Sequence, residues 1–402
     1  MRKKCLLLPL VAIFCLSSCG KTKETVLPKG GKEVLKQEEK DARLVKAVRN
    51  IYNAHEKNDK IWFNFQAEAL VFSFDSPKLE MTSSIQFINA SGVLEGLFTG
   101  NKETTRIGVS TDEFKARNYI HSDFEDEEKV DYEKYFKIRG MNFYLENGNA
   151  YMDLGSNNLI EILGSYSKMI AGFTTGYGEE MGSFADTISS IAQDEENAKS
   201  LIASFFGDNF NNKLKIENVI DDDSYPLIDL SASDDGMSDE EALKAAEDTK
   251  ALFEQQSGLK WDNLCKVYDY GEDSAFQFIF PPADIRNENY PNGTEELGFK
   301  YKTDSYIELV AVFENNQLRN IGLLSYVGIE FTDEEVTKAC GGTLTATIAG
   351  KISLTLNYSG GDNISFPTNY DDYVSLNFGS SEEEDLEEED TEGLDDSNGQ
   401  IG

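Results

Sequence analysis

From Ile61 the chain alternates apolar and polar residues with a period of two. Ile61, Phe63, Phe65 and Ala67 interleave with Trp62, Asn64, Gln66 and Glu68. Such alternation suits a pleated strand with one covered and one wet face, and cannot line one side of a helix. The parity then slips to Leu70, Phe72 and Phe74, which predicts a bulge near Ala69. Further strand-like runs cover Met81–Ile88, Val93–Phe98, Thr104–Ser110, Phe114–Ile120 and Tyr135–Arg139. Asn147-Gly148 then joins Asn142–Glu146 to Asn149–Leu154, the pair expected where a tight hairpin needs positive φ at both central residues. A second strand-rich block repeats the design. Leu264–Tyr270 and Ser274–Phe280 flank Gly271-Glu272-Asp273; Tyr306–Phe313 and Leu318–Ile329 flank Asn315-Asn316; Leu344–Ile348 and Lys351–Tyr358 flank Ala349-Gly350. Strands joined by hairpins pair antiparallel. The expected fold class is therefore α+β, with an antiparallel sheet, and not a doubly wound parallel one.

Helical periodicity appears in two other places. Lys32–Asn58 places Leu44, Val48, Ile51 and Tyr52 on one stripe and predicts an N-terminal helix packed on the sheet. From Ser156, the residues Leu159, Ile162, Leu163 and Tyr166 share a face, and Phe184–Phe206 carries one or two more helices. Ser238-Asp239-Glu240-Glu241 reads as a capping box opening a helix to about Gln256. The body thus runs over residues 32–378: strand-rich at 61–154, helical at 156–257 as a central insertion, and strand-rich again at 261–367. Residues 379–402 form an acidic tail, with eleven carboxylates and no base between 382 and 396, that self-repulsion keeps disordered.

The first twenty residues follow a different logic. Arg2, Lys3 and Lys4 precede an apolar run, Leu6 to Leu16, too short to span a bilayer. Leu16-Ser17-Ser18-Cys19-Gly20 resembles the lipobox of bacterial lipoproteins. The resemblance implies a signal peptide over residues 1–18, cleavage before Cys19, and acylation of the Cys19 thiol. Two or three acyl chains anchor a protein stably where one does not. Localisation at a cell membrane, on its extracytoplasmic side, follows from the same resemblance. Gly20 is not the Asp that retains such proteins at a Gram-negative inner membrane. Residues 19–31, with Pro28, Gly30 and Gly31, read as a polar tether holding the body off the bilayer.

Charge excludes one class of partner. With 73 acidic against 37 basic residues, a net charge of −36, nucleic acid would be repelled. Beyond Cys19 the mature chain keeps two cysteines, Cys265 and Cys340, which could form one disulfide or stay as buried thiols. Signs of catalysis are sparse. His55 and His121 are the chain's two histidines, each expected at the solvated end of an element. No nucleophile elbow, phosphate loop or metal-ligand spacing occurs, and no cofactor is expected. Ser231–Gly236 has the glycine of a calcium loop but lacks its first ligand and its closing Glu, since position twelve is Ala242.

Met141–Leu154, Leu309–Leu324 and Leu354–Pro367 are strand-like runs with a tight turn or a Pro-ended finish. In this they resemble the LolA-like and LppX-like exported lipid carriers. That resemblance implies a curved or half-barrel antiparallel sheet wrapped over helices, with an apolar cavity lined by strand residues of one parity and by Leu159, Ile162 and Leu163. The expectation is a membrane-anchored, non-enzymatic lipoprotein that binds a hydrophobic or lipid ligand or acts as a surface interaction module. Two other readings stay open: the solute-binding lipoprotein of a transporter, which needs repeated βα units, and an extracellular hydrolase.

Overall fold

The computed structural model describes residues 25–55, 60–123, 129–155, 165, 200, 210–225, 227, 237–257, 259–280, 298–362 and 364–375. The signal segment with Cys19, the helices expected from Ser156 and over Phe184–Phe206 apart from residues 165 and 200, the Ser231–Gly236 loop and the acidic tail lie outside the described residues.

The strands are β1 (Lys32–Glu33), β2 (Lys60–Ser76), β3 (Leu79–Glu95), β4 (Arg106–Ser122), β5 (Val130–Glu146), β6 (Asn149–Asp153), β7 (Lys213–Ile216), β8 (Cys265–Tyr270), β9 (Asp273–Phe280), β10 (Phe299–Tyr301), β11 (Tyr306–Glu314), β12 (Gln317–Phe331), β13 (Thr345–Asn357) and β14 (Val374–Ser375). The helices are α1 (Gln37–His55), α2 (Asp239–Ser257), α3 (Trp261–Leu264) and α4 (Glu334–Ala339). All the strands join one open sheet in the order β1-β8-β9-β11-β12-β13-β2-β3-β4-β5-β6-β7-β14, with β10 added on β12. The two strand-rich blocks of the sequence are therefore continuous: β13 closes the second block and pairs antiparallel with β2, which opens the first. Apart from the parallel contact of β14 with β7, the pairings are antiparallel. The described residues do not form the βα repeats that a two-lobed transporter protein needs.

Four strands, β2 to β5, are seventeen residues each, about twice the length of the runs read from sequence. Each long strand absorbs a break that the sequence presents as an end. Ala69 has φ +45°, and the β2–β3 register shifts beside it, as the parity slip requires. On the other side of Ala69, Gly350 takes the matching irregularity, between Ala349 and Lys351. Ala69 and Leu70 of β2 thus bulge opposite the single Gly350, and Ala349-Gly350 continues β13 in register with Tyr326 and Ser325 instead of forming the turn expected there. Asn89 (φ +51°) and Gly140 (φ +68°) break β3 and β5 opposite Asp112 of β4. Bulges aligned in this way add twist and let long strands bend together. The hairpins at Asn147-Gly148 and Asn315-Asn316 form as expected, with positive φ at all four residues.

α1 begins at Gln37, later than expected, because Lys32–Glu33 is diverted to pair with β8 as β1. Leu44 and Ala47 of α1 and Ala246 of α2 pack on Val267, Phe276 and Phe313 of β8, β9 and β11. Ile51, placed on the apolar stripe by spacing, is instead exposed. α2 opens with the expected capping box: the Glu241 amide donates to Ser238 Oγ, and the Ser238 amide and hydroxyl donate to Glu241 Oε2 at 2.9 and 2.7 Å. The same bonds hold the Glu241 carboxyl below its ordinary pKa.

Cys265 sits in the α1–α2 core and Cys340 in a second core with Leu79, Met81, Ile120 and Leu344. Both are buried thiols with no disulfide between them. The alternative of a Cys265–Cys340 disulfide is corrected accordingly: two cysteines in separate cores cannot meet the short Cα separation that a bridge requires.

The tether is corrected in part. Residues 25–31 do not swing free. The Thr25 hydroxyl and the Val26 amide donate to the Glu308 carboxylate, Val26 and Leu27 pack with Val310 and Val312, and the Tyr270 hydroxyl donates to the Pro28 carbonyl. Gly322 leaves the room for this, since a Cβ there would stand 2.8 Å from the Val26 side chain.

Candidate functional site

Strand register puts one parity of the sheet on one face. Reading partners across from β9 to β5, Phe278, Leu309, Leu323, Ile352, Ala67, Phe87, Phe114 and Ile138 stand opposite one another in turn. This row crosses eight strands without a polar side chain. The neighbouring row runs Phe276, Ala311, Ile321, Leu354, Phe65, Ala90, Thr111 and Met141. Partners directly opposite share a face, so both rows form one apolar surface. The intervening positions face the other way; that face is polar at β2 and β13, with Gln66, Glu68, Ser353 and Lys351, whereas at β9 and β11 Ala275, Val310 and Val312 form a small apolar cluster on it under Val26 and Leu27.

The apolar face is unevenly filled. Its β8–β11 end is sealed by α1 and α2, with Trp261 edge-on to Phe278 at 4.7 Å. The end beside the β12–β13 connection is sealed by Leu79, Ile120, Leu344 and Cys340, with Phe72, Phe74 and Phe331 around them. Between the two lies a stretch of large side chains that stay half-buried: Phe65, Leu70, Phe87, Ile307 and Leu309, set on the buried floor of Ala67, Leu323 and Ile352. Phe65, Phe87 and Phe114 form an edge-to-face ladder, with ring centroids 5.6 and 5.1 Å apart. Beside this stretch, paired with Ile307, Ser325 is 1% exposed and its hydroxyl has no hydrogen-bond partner. An orphaned buried hydroxyl costs about 1–3 kcal/mol, and a ligand atom that bonded it, giving up its own water, would contribute a net gain of about 0.5–1.5 kcal/mol to binding. On β4 the buried Asn118 is satisfied differently, accepting from Ser83 at 2.9 Å and donating to Ser165 at 3.2 Å.

A second cluster sits where α1, α2, α3 and β8 meet. Lys250 reaches Asp41 Oδ1 at 2.5 Å and Asp262 Oδ1 at 3.6 Å, and Gln37 donates to both carboxylates. Burial works against the Lys250 charge, yet the bond to Asp41 and the Asp262 carboxylate hold its pKa above the ordinary value. These residues roof a cavity of about 10 Å³ above Cys265, room for about one water. Burial pushes the Cys265 thiol up to about 12, so it stays protonated and is a poor nucleophile. The cluster is a polar seal on the α1–α2 core.

The remaining expected site residues fall as follows. His121 is exposed at the end of β4, and no group of three or more metal-ligating side chains is brought together among the described residues. Ala242, at the twelfth position of the calcium-like spacing, is fully buried in α2. Leu159, Ile162 and Leu163, expected on a cavity wall, lie outside the described residues. Ser325 escaped the sequence reading, because a single Ser inside a strand is ordinary and only its burial singles it out. No protein-family model, curated protein or solved structure matches the chain.

Proposed function

We propose that this chain is an extracytoplasmic lipoprotein, anchored through acylated Cys19, that binds a hydrophobic or lipidic ligand on the apolar face of its sheet and catalyses no reaction. The observation that carries the reading is the in-register apolar row from Phe278 to Ile138, whose middle stretch is left half-buried. A face meant only as packing floor gains by complete burial, about 25 cal/mol per Å² of apolar surface. Phe65, Phe87, Leu70 and Ile307 forgo part of that gain, and an acyl chain laid along them would recover it at about 0.8 kcal/mol per CH₂. The unpartnered Ser325 hydroxyl supplies one hydrogen bond for a polar head, such as a carboxyl or ester. The Leu16–Gly20 lipobox supports the anchor, and the buried, protonated Cys265 offers no competing chemistry. Residues 20–402, produced without the signal, should carry co-purifying lipid or take up added fatty acid or phospholipid in native mass spectrometry. A folded protein that does neither refutes the ligand.

A further inference from the structure

The docked N-terminal segment also fixes which side of the molecule meets the membrane. Thr25, Val26 and Leu27 lie on the face of the sheet opposite the apolar row, not at its edge. Their partners Glu308, Val310, Val312 and Gly322 share the parity of Ser353 and Lys351, opposite the helices. The attachment is built in depth. Glu308 is 3% exposed, and its carboxylate accepts from Thr25 Oγ1 at 2.5 Å, from the Val26 amide at 3.2 Å and from Gln277 Nε2 at 2.5 Å. Gln277 in turn accepts from the Tyr268 hydroxyl at 3.0 Å. Downstream, the Tyr270 hydroxyl bonds the Pro28 carbonyl, β1 joins β8, and the Val34 amide bonds the Val267 carbonyl. Thr25 is therefore a fixed point on the body.

Six residue steps separate Thr25 from Cys19. Fully extended, they reach about 20 Å, less than the path from β11 past β9, β8 and β1, with strands about 4.8 Å apart, and on across a helix layer about 10 Å thick. A body held by so short a leash cannot turn its helix side to the membrane. We infer that the surface docking to the bilayer is the face of β9, β11 and β12 around Glu308 that carries Thr25–Leu27, opposite the helices, and that the partner is a phospholipid headgroup layer. The inference rests on the acylation of Cys19. The chemistry of the surface suits that partner. Glu308, the one deeply buried carboxylate among the described residues, is already saturated by three donors, Ile279 opposite it is 38% exposed, and Lys302 lies over Gly328 on the same face, while Lys351 pairs there with Glu68 at 3.7 Å. The saturated Glu308 presents no open acceptor to lipid phosphates, and Lys302 stands on its face of the sheet as a cation for them. The apolar face, with its α1–α2 end, then points away from the anchoring membrane.

The test uses full-length acylated protein reconstituted in phosphatidylcholine–phosphatidylglycerol vesicles that carry a headgroup spin label. An environment-insensitive fluorophore is placed at Ile279→Cys on the Glu308 face or at Leu243→Cys on the outer side of α2, where Leu243 is 46% exposed. The orientation predicts several-fold stronger quenching at position 279 than at 243. It also predicts that a twenty-residue Gly-Ser insertion between Glu24 and Thr25 abolishes the difference. Equal quenching in protein that incorporates labelled palmitate overturns the orientation alone. Failure of the wild-type chain to incorporate palmitate, or incorporation unchanged in Cys19→Ser, overturns the anchor and the orientation with it.

Discussion

Thr25 Oγ1 donates to Glu308 Oε1 at 2.5 Å across 283 residues of sequence, fastening the segment before the body to the middle of the sheet. Glu308→Ala removes the acceptor and leaves the Gln277 amide, the Thr25 hydroxyl and the Val26 amide competing for water. A loss of about 1–3 kcal/mol is expected. The readout is local: trypsin should cut after Lys29 several-fold faster in Glu308→Ala than in the wild type, while the sheet keeps its circular dichroism. Equal cleavage rates would show that the segment is not held by Glu308.

Ala69 is a non-glycine residue at φ +45°, in the left-handed region that costs an L-residue roughly 1–2 kcal/mol. Ala69→Gly is expected to stabilise the protein by up to about 1 kcal/mol, and Ala69→Val to destabilise it, as shifts of the urea midpoint. A destabilised Ala69→Gly would contradict the bulge that aligns β2 with Gly350 of β13.

The chain's C-terminal strap is held by tyrosines. Tyr151 stacks on Tyr370 at 3.8 Å, Tyr373 packs edge-on to Tyr151 at 5.4 Å, and the Tyr370 hydroxyl donates to Glu146 at 2.6 Å. Burial raises Tyr370, with the Glu146 bond adding to it, and burial pushes Tyr373 up to about 12. A raised folded pKa means that stability is fully present below the unfolded value, about 10 for tyrosine, and falls as pH climbs through the folded one. The strap should stay docked at pH 9 and detach between about pH 10 and 12. Tyrosinate absorbance and proteolysis at residues 364–375 should report that release together. Tyr373→Phe keeps the packing and should move the release to higher pH.

Cys265 and Cys340 are thiols, not joined by a disulfide, buried in separate cores. In residues 20–402, a thiol reagent should find no reactive group in the native protein and two after denaturation, with or without prior reductant. Two thiols appearing only after reduction would contradict this arrangement.

Much of the fold was legible because its signals are local. Period-two alternation, Asn-Gly and Asn-Asn turns, and the Ser238–Glu241 box each need only a few adjacent residues, and each formed where expected. The parity slip at Ala69 even located a bulge. The sequence misled where a break and an end look alike: Asn89, Gly140 and Gly350 are turn-forming residues used inside long strands. Long-range facts left no local trace. The β13–β2 junction, the eight-strand apolar row, the docking of Thr25 on Glu308 and the isolation of the Ser325 hydroxyl all depend on strand order, which hydrophobic pattern does not encode.

The apolar face stands or falls on a titration of residues 20–402 with a fluorescent fatty acid. The account predicts saturable binding to the wild type. It also predicts loss of binding in Phe87→Asp, which sets a charge in the middle of the row, and wild-type binding in Ser84→Asp on the polar face of the same strand. Ser325→Ala should keep or slightly raise stability, since it removes an orphaned group, yet weaken binding about two- to twelve-fold, the worth of one hydrogen bond of 0.5–1.5 kcal/mol. No saturable binding to a folded wild-type protein, or equal binding by Phe87→Asp and the wild type, would contradict the account.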